Sequence, residues 1–226
     1  MDKKKIISVA VIVLAVVVGG YLYYGKSGAN LPLVAKTETV AKVNGVDITK
    51  EAYESQLAAS ITAFKSQGID VTASTTEAAI RAQVLNDMIN NELVNQGIAS
   101  AKITATPAEI DAQIQVITTQ LGGEDKLKEE MAKAQITDAK LRENVSKQIT
   151  IQKYLVMNIN VASTTVSDAE VTKYYNDNVK GQTNAPALKD VKDQIKQQLT
   201  IQKEQALITA FIDTLRVKAQ IETTVK

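Results

Sequence analysis

Three times in this chain of 226 residues a serine or threonine stands three positions ahead of a glutamate: Ser74 with Glu77, Thr106 with Glu109, and Ser167 with Glu170. That spacing is the capping box, in which the hydroxyl accepts from the third helical amide and the carboxylate reaches back to the amide of the capping residue. Each pair therefore predicts a helix start. Pro107 strengthens the second, because a proline at the first helical position lacks only an N–H that no helix bond would use. Gly97 and the pair Gly122-Gly123 predict helix ends after the apolar stripes Ile80, Val84, Met88, Leu93 and Ile110, Ile114, Ile117, Leu121. A chain punctuated in this way is committed to a mainly helical fold.

A small sheet accompanies the helices. Val40 to Val43 and Val46 to Ile48 are β-favouring runs around Asn44-Gly45, the dipeptide that best accepts positive φ at both centres of a type I′ turn, so a hairpin is predicted. From Thr49, the spacing of Tyr53, Leu57, Ile61 and Phe64 predicts a helix of about four turns that stops near Gly68. A short helix around Leu127 and Met131 follows later. Next come a long helix from Asp138 to Asn158, with Leu141, Val145, Ile149 and Val156 as its stripe, and one from Ser167 that ends after Tyr174-Tyr175. Residues 180–186 read as a linker. Beyond it Leu188 to Leu215 hold a helical stripe for about 28 residues, roughly 40 Å, long enough to bridge separate parts of the molecule. Ile221, Thr223 and Val225 then alternate as in a strand. A lone hairpin is marginal in water, so this segment is expected beside Val40 to Ile48, which brings both ends of the folded part into one lobe.

Composition excludes much chemistry. The chain contains no histidine, cysteine or tryptophan, which removes Ser-His-Asp and Cys-His nucleophiles, His/Cys metal sites, thiol redox couples and disulfides. Its 26 Lys and Arg against 25 Asp and Glu give no basic surplus for nucleic acid. No cofactor or metal is expected. Glu124-Asp125 and Glu129-Glu130 read as solvated helix faces, as do the Lys and Glu from Lys189 to Glu204, and the sequon at Asn144 falls inside a predicted helix.

The front of the chain is of another kind. Ile6 to Tyr24 carries no charge, and as a helix it spans roughly 28 Å, close to a bilayer core of about 30 Å. Lys3, Lys4 and Lys5 before it orient the amino terminus to the cytoplasm, and Tyr21, Tyr23 and Tyr24 fit an interfacial belt. The expected organisation is a cytoplasmic tail at 1–5, a transmembrane signal anchor at 6–24, a linker at 25–38 and a folded domain at 39–226 outside a bacterial cytoplasmic membrane. A cleaved signal peptide and a buried core helix are the competing readings. The run exceeds the usual apolar region of about 7 to 15 residues and lacks an A-x-A site.

VAKVNGVDITKEAYESQL from Val40, VLNDMINNELVNQGI from Val84, TPAEIDAQI from Thr106, Gly122-Gly123 and VSDAEVTKYYNDN from Val166 together resemble the SurA N-terminal domain family, shared by SurA, PrsA and PpiD. The tail from Pro186 resembles that family's carboxy-terminal helix and strand, so the resemblance covers nearly all of residues 39–226. It implies an extracytoplasmic chaperone for unfolded secreted or envelope proteins. It also implies a departure. Where relatives insert a parvulin prolyl-isomerase domain, whose site uses histidines, this chain has only residues 180–186, with the long helix and strand following at 187–226. No enzymatic activity is expected.

The function so implied is that of a membrane-anchored holdase. An adaptor or assembly factor for one membrane partner is the alternative, and a prolyl isomerase or a carboxylate-dependent hydrolase is less favoured. Val116, Ile117, Leu121, Met131 and Met157 are the candidate client-binding residues, since flexible and apolar side chains suit varied partners. Core packing competes for Met131 and Met157, as it does for Met88, because each lies on a helical apolar stripe, and it competes likewise for Val116, Ile117 and Leu121 before the glycine stop.

Overall fold

The computed structural model describes residues 38–224. The expected tail, membrane span and nearly all of the linker at 1–37, together with Val225, lie outside the described residues. Within them no helix is long and apolar enough to cross a membrane. The fold is mainly helical, with a three-stranded antiparallel sheet. Strand β1 (Thr39–Val43) and β2 (Val46–Thr49) form the hairpin, with Asn44 and Gly45 both at positive φ, 50° and 86°. Lys42 faces Asp47 across it and the two side chains pair at 3.3 Å. Strand β3 (Ile221–Thr223) lies on the other side of β1, with Val43 opposite Ile221. Asn44 does more than turn the hairpin: its carboxamide oxygen accepts from the Gln220 amide and its nitrogen donates to Gln96, both at 2.8 Å.

Seven α-helices lie among the described residues: α1 (Lys50–Ser66), α2 (Ser74–Ser100), α3 (Pro107–Leu121), α4 (Glu124–Ala134), α5 (Asp138–Asn158), α6 (Asp168–Asn178) and α7 (Leu188–Lys218). A 3-10 turn at Val161–Thr164 precedes α6. The sheet, α1 and α2 enclose one core of Val40, Val43, Ile48, Tyr53, Leu57, Ile80, Val84, Ile89 and Leu93, against which Leu215 and Ile221 pack from the far end of the chain. A second core gathers Val166, Val171 and Ile195 with Tyr174, Tyr175 and Leu199. Helix α7 starts in the second core and finishes in the first. At about 1.5 Å per residue, its 31 residues reach roughly 46 Å, so it is the bridge its length predicts.

Three sequence expectations are corrected. The boxes at Thr106 and Ser167 form in full, but at Ser74 the capping position belongs to Ala73 and no side-chain cap bond is made. Glu77 is instead held by Arg81 one turn on, at 2.7 Å. Gly97 does not end α2; the helix runs to Ser100 and closes on Lys102, whose left-handed φ of 52° lets the Ile103 amide reach back to Ile98. Val156, expected on the inward stripe of α5, is exposed, because α5 turns Tyr154 and Leu155 inward. The first correction is measurable. Ser74→Ala is expected to change unfolding free energy by less than about 0.5 kcal/mol, while Thr106→Ala costs about 1 kcal/mol, both read by chemical denaturation.

Candidate functional site

Helix α3 is held between α4 and α5. Its start is fixed by the Thr106 box and by Lys153 of α5, whose ammonium meets Glu109 at 2.7 Å and the Thr104 carbonyl at 2.9 Å. Those contacts hold the Glu109 carboxyl down at about 2: the Lys153 bond contributes most, followed by the Thr106 amide and hydroxyl. Arg142 of α5 adds a second tie to Asp111 at 2.7 Å. Thr118, buried on the same helix, satisfies its hydroxyl on the Ile114 carbonyl.

The apolar residues of this arm are only partly covered. Val116 is 46% and Leu121 40% exposed, while Ile117 is half-buried. Helix α4 buries no residue fully; Leu127 and Met131 are half-buried, and its charges pair among themselves through Lys126–Glu129 and Lys133–Glu130. Met157, in the last turn of α5, is 69% exposed beside the exposed Val156. Four of the five candidates, Val116, Ile117, Leu121 and Met131, thus belong to the α3–α4 arm, and Met157 stands at the carboxy-terminal end of α5. Met88 packs against the first core. Val156 fits the α5 stripe by spacing, which gives no sign of its exposure; Tyr154 and Leu155 are the buried residues of that turn.

Two polar features fall elsewhere. A cleft of about 250 Å³ opens where β1 begins, beside α1 and α2, lined by Glu38, Lys50, Tyr53, Glu54 and Arg81 among others. Its mouth carries the Glu38–Lys50 pair at 2.5 Å, and Lys50 holds the Glu38 carboxyl below its usual range. This is a charged recess, unlike the apolar arm. Glu204 corrects the expectation of a wet face along Lys189 to Glu204: it is 6% exposed, one carboxylate oxygen has no hydrogen-bond partner among the described residues, and burial pushes its pKa up. Among the described residues no cluster of acidic side chains is placed to hold a metal ion.

Comparison with known proteins agrees with the helical architecture. The sequence profile of the family described as the SurA-like N-terminal domain matches residues 2–155. No curated protein matches the chain. A solved Campylobacter jejuni structure, from work on two SurA-like chaperones, the virulence factor PEB4 and the periplasmic protein Cj1289, shares the fold with a TM-score of 0.54. It is 15% identical, and the match covers 83% of this chain and 99% of its own.

Proposed function

Because the chain belongs to the SurA-like N-terminal domain family, we propose that it is a membrane-anchored holdase that keeps unfolded secreted or envelope proteins from aggregating on the outer side of a bacterial cytoplasmic membrane. The observation that carries the reading is the exposure of Val116, Leu121, Val156 and Met157 on α3 and α5. Apolar side chains left open to water gain free energy by covering an apolar stretch of another chain, at about 25 cal/mol per Å² buried, without demanding a fixed sequence. Ordering a client offsets much of that gain, so each encounter is weak and reversible. The uncharged run from Ile6 to Tyr24 behind Lys3 to Lys5 supplies the anchor in this reading.

The holdase acts without catalysis. The chain has no histidine, and α6 is joined to α7 by residues 179–187 alone, where relatives of the resembled family insert the isomerase domain. Clients are held by surface contact and released by dissociation. The test uses the full chain in nanodiscs with a chemically unfolded client whose aggregation is followed by light scattering. Wild type is expected to suppress scattering at a few-fold molar excess, and the variant with Val116→Ser, Leu121→Ser and Met157→Ser to need about tenfold more protein. Scattering unchanged by wild type rejects the holdase; equal suppression by the variant moves the client surface elsewhere.

A further inference from the structure

The Lys153 clasp has a counterpart. On α7, Lys203 meets Glu170 of the other complete capping box at 2.6 Å and the Thr165 carbonyl at 2.9 Å. The two networks join the same kinds of group in the same order. In each, one oxygen of the capping glutamate takes both the amide and the hydroxyl of the N-cap residue, at 2.8 and 3.0 Å in the first and 2.9 Å for both in the second. In each, the lysine also caps the carbonyl two residues before the N-cap, and lysine and glutamate are exposed to similar degrees, 35% and 39% against 33% and 44%. The glutamate of the incomplete box, Glu77, meets no lysine of another helix among the described residues and is held by Arg81 of its own helix.

The surrounding sequence repeats as well. Thr104-Ala105-Thr106-Pro107-Ala108-Glu109-Ile110 matches Thr165-Val166-Ser167-Asp168-Ala169-Glu170-Val171, and Gln148-Ile149-Thr150-Ile151-Gln152-Lys153 matches Gln198-Leu199-Thr200-Ile201-Gln202-Lys203. A clasp requires only the lysine, the hydroxyl and the glutamate, yet Ala108, Thr150, Ile151 and Gln152 recur too. Each lysine stands fifteen residues after the first residue of its helix, Asp138 or Leu188. Eight residues before each lysine comes a buried aliphatic side chain, Val145 or Ile195.

We infer that α3–α5 and α6–α7 are two copies of one unit, a capped helix clasped by the lysine of a following helix, and that Lys153 and Lys203 are positioning residues that fix the direction in which each capped helix leaves its turn. The copies differ in their connections. The first carries α4 between its two helices, the second only residues 179–187. They also differ one residue past the lysine, where the first places Tyr154 and the second Glu204.

Amide hydrogen exchange on the full chain in detergent micelles tests this with the single variants Lys153→Met and Lys203→Met. Lys153→Met is expected to speed exchange about threefold to tenfold across Pro107–Leu121 and to leave Asp168–Asn178 unchanged, and Lys203→Met to do the reverse. Lys153→Arg and Lys203→Arg, which keep the charge and can donate to both acceptors, restore protection in their own unit. A third variant carries the Thr165–Val171 sequence in place of Thr104–Ile110 and is expected to keep wild-type protection in α3. Acceleration spread over both capped helices, no acceleration at all, or arginine variants that behave like methionine overturn the positioning role. Loss of protection in the graft equal to that of Lys153→Met overturns the equivalence of the units.

Discussion

Gly97→Ala is expected to destabilise the protein by roughly 3 kcal/mol, measured by chemical denaturation, although alanine is ordinarily the better helix former by about 1 kcal/mol. A Cβ at position 97 would stand 2.0 Å from the Tyr154 hydroxyl oxygen and 2.3 Å from the ring carbon that bears it. Relief requires the whole ring to move. Tyr154 is 6% exposed and its ring lies against Phe211 of α7 with centroids 5.5 Å apart, so the ring is packed from a second side. The contact joins α2, α5 and α7 at one point. Gly97→Ala combined with Tyr154→Ala is expected to be less destabilised than the sum of the single changes, because removing the ring removes the clash. A Gly97→Ala protein as stable as wild type would mean that α2 and α5 separate at little cost.

Glu204→Gln is expected to stabilise the fold by about 1 to 2 kcal/mol at pH 7, since it replaces a buried carboxylate that lacks a partner on one oxygen by a neutral group of the same shape. The dependence on pH is specific. Burial raises the folded pKa of Glu204 above its ordinary 4.5, so the cost is absent below about 4.5 and develops as the pH rises through the folded value. Wild type and Glu204→Gln should therefore converge in acid and diverge towards neutrality. Glu109 and Glu170 act in the opposite sense. Their folded values lie near 2, so the stability their clasps contribute is present above about 4.5 and is lost as the pH falls towards 2. Denaturant titrations of the two proteins at pH 3, 5 and 7 separate these effects. A gap that is constant with pH would assign the gain at position 204 to packing.

How much of this was legible in the sequence depended on how far apart the cooperating residues lie. The Asn44-Gly45 turn, the boxes at Thr106 and Ser167 and the stop at Gly122 are decided within a few residues, and the structure bears them out. The third strand follows from the need of a hairpin for a neighbour and lies beside β1. Gly97 deceives because a glycine near the end of an apolar stripe has the same local signature whether it stops a helix or makes room for a ring, and the ring belongs to Tyr154, far along the chain. Ser74 failed as a cap although its spacing is correct, since the helix begins one residue earlier than the box requires. The charge of Glu204 and of its neighbours points to solvent, and the 3-10 turn that α7 packs against has no sequence signal. For the apolar arm, periodicity names the residues of a stripe without stating how much of it a neighbour covers, and Val116 and Leu121 are covered only in part.

The pairing of β1 with β3 sets an order of events. Thr39 and Thr224 share a hydrogen bond across 185 positions of chain, and Val40, Ala41 and Val43, all buried, lie on the central strand. While the protein is being made, the β1–β2 hairpin must wait with one edge of β1 unpaired until the chain has been made as far as β3. Local helical units such as the two clasped pairs can close early, whereas the lobe that holds both β1 and β3 completes last and only after synthesis has passed residue 223. During that interval a protein proposed to guard unfolded chains is itself one of them.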